Sequence, residues 1–447
     1  MKIYKTLIIG AGISGLTTAN ALLDRGMNKE DLLILEGKKE IGGLIKTTRE
    51  QGFICEWGPE GLRGNSTNTD KVFRFSGIKP IASTDHAKTR YIIKNKKVTA
   101  LPKGPLSAIT TPVIGLRSKI RIFGEPWVRA KTEDETVEEF FARRFGKGIV
   151  PLVDALVSGI FGGNPSKLSI SYAFPALKEA ERRSGSVIKG IMRSRKSSRK
   201  NKKSSGKQEK KPFLYSPKGG MHSLIGALAQ NVNINLGEQV STISKEKDTF
   251  VVSTSSAQYK AKKVVVAIGT QGLQELAINN EQIPITTDVA KVTVVSLGYD
   301  EDTLTKPIEG YGFLSPSIEE TYILGTLFAS KLFTEQAPDG KVLLRCFVGG
   351  QRHPERSELE KETLISEVKK ELEDLLDISG DPSYVSIQRH SPLGIPQLTM
   401  NHKRNLVWRK EIQQRYPGLY FRGIGWNSIS CDGLIGEALE LAEDIIR

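Results

Sequence analysis

A chain of 447 residues, 38% of them hydrophobic, is too long for one core and has enough apolar material for two or three globular domains; no run reaches the apolar length of a membrane-spanning helix. Three scattered cysteines and five histidines without ligand spacing argue against a disulfide scaffold or a metal centre and suggest a reducing compartment. The formal net charge of +15 is concentrated in residues 193–211, RSRKSSRKNKKSSGKQEKK, where ten basic residues stand against Glu209 alone. That run has no apolar residue and predicts a disordered loop, open to three readings: a solvated connection, an anionic-membrane contact or a nucleic-acid tail. A basic cluster gains roughly 1 kcal/mol per Lys or Arg beside an anionic bilayer. No nucleic acid is expected, since the run lacks interleaved aromatics for base stacking.

In chain order, residues 5–9 form a short apolar run that reads as a buried parallel strand, so the N-terminus does not read as a signal peptide. Gly10, Gly12 and Gly15 follow at G-x-G-x-x-G spacing, with Ala11, Ile13 and Ser14 between them, and residues 16–23 read as a helix. Gly10 permits the tight turn, Gly12 lets backbone approach a pyrophosphate, and Gly15 lets the helix pack on the strand. A second strand, 32–35, ends in Glu36 about twenty residues on, where an acid can bond a ribose hydroxyl. These residues describe a dinucleotide site. Which dinucleotide follows from Ile41 to Thr47, IGGLIKT, which resembles the second glycine pair of two-dinucleotide-binding-domain flavoproteins of the amine oxidase class. FAD is therefore the expected cofactor.

Residues 52–59, GFICEWGP, alternate and then turn; in flavoproteins of this class the segment passes beside the flavin ring. Cys55 reads as core. YIIKNKKVTALP, from residue 91, reads as strand–turn–strand with Asn95 at the turn. The mixture of proline, apolar residues and isolated cations up to Trp127 suits either a bilayer interface or an ordinary helical subdomain. Residues 136–145 predict a helix, with Thr136 and Glu139 at capping-box spacing, Gly146 as its stop, and Val137, Phe140, Phe141 and Arg144 facing inward. After the basic run, a glycine pair opens a helix at 223–230. Strands follow near 233–236, 240–243, 250–253 and 263–268, the second half of a discontinuous FAD domain. Residues 290–297, 322–327 and 342–348 read as strands of a second sheet. Residues 357–376 predict a helix with a capping box at Ser357 and Glu360 and a stripe of Ile365, Val368, Leu372, Leu375 and Leu376. The C-terminus reads as a strand at 419–422, the loop GIGWNSISCDG and a helix at 434–446, returning to the cofactor.

VSGIFGGNPSKLSISYAFPAL, YGFLSPSIEETYILGTLFASKLF, LLRCFVGG and SPLGIPQLTMNH, in that order, resemble the oxygen-dependent protoporphyrinogen oxidases of heme biosynthesis, and the similarity runs almost end to end. The resemblance implies an α/β fold: a Rossmann-like FAD fold of the two-dinucleotide-binding-domain type, an α+β substrate domain and a helical membrane-associated subdomain. The boundaries it suggests are 1–85, 212–285 and 395–447 for the FAD domain, 86–211 for the helical domain and 286–394 for the substrate domain. It implies oxidation of a porphyrinogen to a porphyrin over three flavin cycles, each returning its electrons to O₂ as hydrogen peroxide. It assigns Arg90 to a substrate propionate, Phe328 to packing on the macrocycle, and Gly312 and Leu314 to the cavity wall. To FAD it assigns the turn from Gly10 to Gly15, Glu36, Gly37, Gly43, Leu44, Gly58, Pro59, Glu60, Gly61, Val240, Ile429, Ser430 and Cys431. No catalytic side chain and no metal are expected, and nothing in the spacing argues for covalent attachment at Cys431, so the FAD should be noncovalent. The partners implied are the porphyrinogen, O₂ and an anionic membrane, with a homodimer and a hand-off to ferrochelatase as further expectations. The expected location is cytoplasmic, on the inner face of the cell membrane.

Glu60 departs from relatives that carry a basic residue there; as a negative charge beside the pocket it should disfavour carboxylate tails, with Arg63 reaching the same space in compensation. The alternatives are coproporphyrinogen III oxidation on the same fold and, more distantly, an amine oxidase or carotenoid desaturase. The last two share the first sixty residues but do not account for the middle segments.

Overall fold

The computed structural model describes residues 2–104, 107, 110–203, 211–390 and 393–447, with the backbone alone for 195 and 197–203. Its centre is a nine-stranded sheet whose parallel part runs Ile234–Leu236, Leu32–Glu36, Ile3–Ile9, Gln258–Val266 and Leu419–Phe421. The strands 32–36 and 3–9 are apolar on both faces because both are covered, one by helices and the other mainly by the 240–254 strands and the 273–285 segment. Ile8, Leu16, Leu224 and Ile435 join one covering layer, and Leu7, Val264, Phe421 and Trp426 the other. Thr249–Thr254 and Val240–Glu246 continue the sheet as an antiparallel meander. Three sequence-distant segments thus meet in one sheet.

The second sheet has seven strands, in the order Tyr384–Arg389, Val292–Asp300, Lys341–Gly349, Gly325–Phe328, Gly312–Leu314, Tyr91–Lys94 and Lys97–Ala100. The expected strand 290–297 begins at Val292: Lys291 is in no strand, and Ala290 pairs with Ile395 in a separate two-stranded sheet. The turn between 94 and 97 has Asn95 at φ 52° and Lys96 at φ 56°, the left-handed pair that a tight hairpin needs. This hairpin, although it falls inside the 86–211 segment, is hydrogen-bonded into the second sheet through Tyr91 and Phe313. One face of the sheet is covered by the helix Lys361–Leu376, through Leu364, Val368 and Leu372.

That helix starts later than its sequence suggests. Ser357 lies in the 3₁₀ turn Pro354–Glu358 and its hydroxyl bonds the Pro354 carbonyl at 2.7 Å, so no capping box forms with Glu360. Leu364 takes the buried position expected for Ile365. The box at Thr136 and Glu139 does form, opening Val137–Phe145 with Val137, Phe140 and Arg144 buried. The helices Leu116–Phe123, Val137–Phe145, Val150–Phe161, Pro175–Ser184 and Val187–Lys203 make the third region.

The expected disordered loop at 193–211 is corrected over its first half: the helix Val187–Lys203 continues to Lys203, and 204–210 lie outside the described residues. Lys and Arg are good helix formers, and a helix already nucleated propagates at little cost. Its nucleus is made by Glu125, which is fully buried and accepts hydrogen bonds from Val187 N at 2.9 Å and Ser186 Oγ at 2.5 Å. The buried Arg144 bonds both Glu125, at 3.0 Å, and Glu181, at 2.5 Å. Charges buried in this way hold only as a complete set. Arg144→Met should leave Glu125 buried without a cation, while Glu181 keeps Arg143 and Lys178, and lower the stability of the protein by about 3–5 kcal/mol, read as a shift in the denaturation midpoint.

Candidate active site

The first strand ends at Ile9, and Gly10 turns the chain at φ +106°, a conformation that other residues rarely adopt. The helix Ile13–Asp24 begins three residues earlier than expected, and Gly15 lies so close to the turn that a Cβ there would stand 2.0 Å from the Gly10 carbonyl oxygen. Gly12, at the N-cap, has no side chain to bond the first-turn N–H groups, and no acid lies in that turn. The second glycine pair docks here, with Gly42 N bonded to the Ala11 carbonyl at 2.9 Å and Gly12 bridged to Gly42. A Cβ on Gly12 would meet nothing nearer than 4.0 Å, namely the Gly42 and Gly43 backbone. The two loops thus enclose a cradle without side chains, capped by the positive end of a helix, which fits a diphosphate.

Glu36 completes the cradle, accepting from Ala11 N at 2.7 Å and Lys38 N at 3.0 Å. Gly37 lies against Gln239, whose Oε1 would stand 2.0 Å from a Cβ there, and Glu238 N bonds the Glu36 carbonyl. That contact brings Val240, buried at the start of its strand, to the same end of the sheet. Leu44 meets the next segment, its carbonyl 3.5 Å from a Cβ built on Gly58. Cys55 is buried core, as its alternating position implies.

Glu56 is the unexpected group in this segment. Its carboxyl is buried, bonded to Met221 N at 2.7 Å and to the Thr47 hydroxyl at 2.8 Å, so it caps the helix Met221–Gln230. Gly220 precedes that helix at φ +93°, and a Cβ there would collide with the Glu56 carboxyl at 2.6 Å. Burial, reinforced by the nearby Glu60, pushes the Glu56 carboxyl up to about 8, although both hydrogen bonds and Arg345 oppose the shift. Glu60 itself is buried and forms an ion pair with the fully buried Arg345, while Gln336 Nε2 donates to its second oxygen. The expected free negative charge at Glu60 is therefore corrected to a neutralised pair. Arg63 does not reach it: its side chain is exposed and lies 3.9 Å from Asp432.

Arg90 is exposed, with its guanidinium 4.5 Å from the Phe213 ring and 5.3 Å from the Tyr311 ring, which meet edge to face. Burial, then Glu60, pushes the Tyr311 phenol up to about 12, with Arg90 and Arg345 opposing; these four groups share one neighbourhood. The sequence singled out neither Tyr311, the first residue of the YGFL segment, nor Phe213, and Tyr311 is brought beside Arg90 by the hydrogen bond from its N–H to the Thr89 carbonyl at 2.7 Å. Two expected wall residues are placed differently. Phe328 is 2% exposed and packs on Tyr91 and Phe313 in the core of the second sheet. Gly312 is buried too, a Cβ there meeting the Thr326 carbonyl oxygen at 2.0 Å. Strand alternation, invisible to segment matching, puts Phe328 on the same face as Phe313, whereas Gly312, paired with Leu327, is buried by the close approach of the neighbouring strand. Leu314 is half-buried against Gly159 of the helix Val150–Phe161.

The C-terminal helix is Cys431–Ile446, three residues longer at its start than expected, and Ser430 caps it on Gly433 N at 3.2 Å. Ile429 packs against the helical region, and Asp432 is tied to Ser66 and Asn68 of the FAD domain's first segment. Burial pushes the Cys431 thiol up to about 12.

The family model for flavin-containing amine oxidoreductases matches residues 13–446. The chain belongs to that family. It is a flavin-dependent oxidoreductase, and the flavin that its dinucleotide cradle accepts is FAD. Mitochondrial protoporphyrinogen oxidase of Nicotiana tabacum is 26% identical over 99% of this chain and 94% of its own. Coproporphyrinogen III oxidase of Staphylococcus aureus is 28% identical over 98% of each. A crystal structure of an Exiguobacterium protein named for protoporphyrinogen oxidation superposes with a TM-score of 0.79 at 23% identity, covering 100% of this chain and 99% of that one. Cyclohexylamine oxidase from Brevibacterium oxydans has the same fold, at a TM-score of 0.72 and 16% identity over 100% of both chains.

The Glu56 shift makes a pH prediction. A carboxyl raised from its ordinary 4.5 to about 8 binds more protons folded than unfolded, so its contribution to stability is present at low pH and lost as pH rises from about 5 to 8. Glu56→Gln keeps a neutral partner for Met221 N, and its melting temperature should fall less between pH 6 and pH 9 than that of the unsubstituted protein.

Proposed function

We propose that this flavoenzyme oxidises a porphyrinogen to the porphyrin, removing six hydrogens while three O₂ become three H₂O₂. The observation that carries the reading is Arg90, an exposed guanidinium braced by Phe213 and Tyr311 on the rim between the second sheet and the segment 56–61. A guanidinium binds a carboxylate through two parallel bonds, so it can orient a macrocycle as well as hold it. The rings beside it suit an apolar, flat substrate. With its phenol pushed up to about 12, Tyr311 keeps its proton at working pH, so it can donate a hydrogen bond and does not serve as a base. Glu56 holds a proton below about pH 8, and Glu60 is engaged by Arg345 and Gln336, so the site offers orientation rather than acid–base exchange.

The residues that would hold FAD are the turn from Gly10 to Gly15 with Gly42 and Gly43 at the diphosphate, Glu36 at the ribose, and Gly58 to Gly61 and the 429–431 loop nearer the flavin. When bound, FAD supplies the two-electron acceptor and its reoxidation by O₂. A Cys431 thiol held near 12 is a poor nucleophile, which supports noncovalent attachment.

Protoporphyrinogen IX is the first choice of substrate. Arg345 is consumed by Glu60, and Arg90 has no carboxylate partner among the described residues, so one free guanidinium faces a substrate with few carboxylates. Coproporphyrinogen III, with four, is the alternative, because relatives bearing either name match nearly the whole chain.

An anionic membrane fits the helical region. Leu116, Ile120, Phe123 and Trp127 recur at helical spacing and are 75%, 65%, 68% and 83% exposed, with Arg117 and Arg121 among them. Large apolar side chains exposed together mark an interaction surface, and the basic helix Val187–Lys203 starts from Glu125 beside it. No described helix is long and apolar enough to cross a membrane. A homodimer and a hand-off to ferrochelatase rest on the family resemblance alone.

Aerobic turnover followed by porphyrin fluorescence, with both porphyrinogens in parallel, should give porphyrin and peroxide, faster from protoporphyrinogen; inertness towards both would refute the reading. Arg90→Ala should raise KM about 10- to 100-fold, as expected for a lost charge-assisted pair, and leave flavin content unchanged. Replacing Leu116, Ile120, Phe123 and Trp127 with Ser should weaken binding to anionic vesicles, measured by sedimentation, without altering turnover in detergent.

A further inference from the structure

Arg345 lies in the strand Lys341–Gly349, where alternation sends Leu344, Cys346 and Val348 beneath the helix Lys361–Leu376. Leu343 and Arg345 take the opposite face, and Leu343 packs there with Phe53 and Cys55. A guanidinium at 0% exposure carries a desolvation cost of several kcal/mol, which only a well-matched set of partners offsets. One short segment supplies that set. Arg345 Nη1 pairs with the Glu60 carboxylate, and Nη2 donates to the carbonyl oxygens of Glu56 and, at 3.3 Å, Gly58. A side chain of the second sheet thus holds two backbone carbonyls and one carboxylate of the turn that passes Gly58 and Pro59. From the other side, the segment is packed against the strand Leu214–Pro217, where Gly61 leaves no room for a Cβ against the Tyr215 carbonyl oxygen at 2.7 Å.

We propose that Arg345 is a positioning residue for the flavin: it sets the path of residues 56–60, and with it the protein surface presented to the bound cofactor. The proposal rests on the placement of this segment beside the flavin. Charge neutralisation of Glu60 does not by itself explain the arrangement. Apolar residues of similar volume in place of a buried ion pair are often at least as stable, and a counter-ion has no need to reach two carbonyls two residues apart. Arg345 Nε and Gln336 Oε1 are also buried without a hydrogen-bond partner among the described residues, so the cluster is not arranged for stability alone. It links the flavin side to the sheet that carries Tyr311.

Arg345→Met alone would strand the Glu60 carboxylate in the interior, so the informative variants are the double substitution Arg345→Met/Glu60→Gln, which removes both charges, and Arg345→Lys, which keeps the pair but cannot span both carbonyls. The readouts are the melting temperature, the visible circular dichroism of bound flavin and the rate of FAD release from the holoenzyme. The double variant should fold, release FAD at least tenfold faster and show an altered flavin dichroism, with Arg345→Lys between it and the unsubstituted protein. Unchanged dichroism and release in a folded double variant would overturn the proposal and leave Arg345 a counter-ion. So would failure of the double variant to fold, combined with unaltered flavin properties in Arg345→Lys. None of these readouts uses a porphyrinogen, so inertness towards porphyrinogens would count against the substrate reading only.

Discussion

The fold depends on a close approach: Gly15 lies against the carbonyl of Gly10, at a distance no side chain would tolerate. That contact seats the first helix on the central strand and aims its uncapped N-terminus at the cradle formed with Gly42 and Gly43. Everything else in the FAD domain is arranged around the strand that ends there. Ile3–Ile9 pairs with Leu32–Glu36 on one side, bringing Glu36 to the turn, and with Gln258–Val266 on the other. The C-terminal strand then joins through Val264 to Val266, which returns the last helix to the site.

Between this domain and the second sheet the contacts are of a different kind. The strand Phe53–Glu56 packs its apolar side against Leu343 and Tyr384, and just beyond it a cluster of buried ionisable groups begins. Glu56 caps a helix of the FAD domain, Glu60 is neutralised from the second sheet, and Tyr311 and Arg90 continue the same neighbourhood towards solvent. Burying charge at a domain boundary is costly unless every member is satisfied. Where the cost is met the domains are held in one relation, which a reaction between a cofactor on one side and a substrate on the other requires. The helical region repeats the device with Glu125, Arg144 and Glu181, joining an exposed apolar stripe to a basic helix.

Residue spacing alone was enough to locate the glycine turn, Glu36, the hairpin at Asn95 and the capping box at Thr136, because each depends on backbone conformation or on partners within a few residues; the second glycine pair was located by its resemblance to flavoproteins of the amine oxidase class. Where it failed, a longer-range interaction decided. Ser357 and Glu360 have capping-box spacing, but a 3₁₀ turn uses the serine first. The basic run reads as disordered by composition, yet its first half is helical because Glu125, some sixty residues earlier, caps the helix from which it extends.

The same division runs through the site. The sequence determined that this protein holds a dinucleotide and that its chain resembles the porphyrinogen-oxidising flavoproteins from end to end, since those properties reside in short motifs and their order. Only the tertiary structure decided which side chains face one another across the domain boundary. It turned Phe328 and Gly312 into core, converted Glu60 from a free charge into half of a buried pair, and brought Arg345, Tyr311 and Phe213, none of which the sequence singled out, to the site. The physical reason is that a side chain's charge state and exposure are set by what lies opposite it in space. Neighbours along the chain do not specify that.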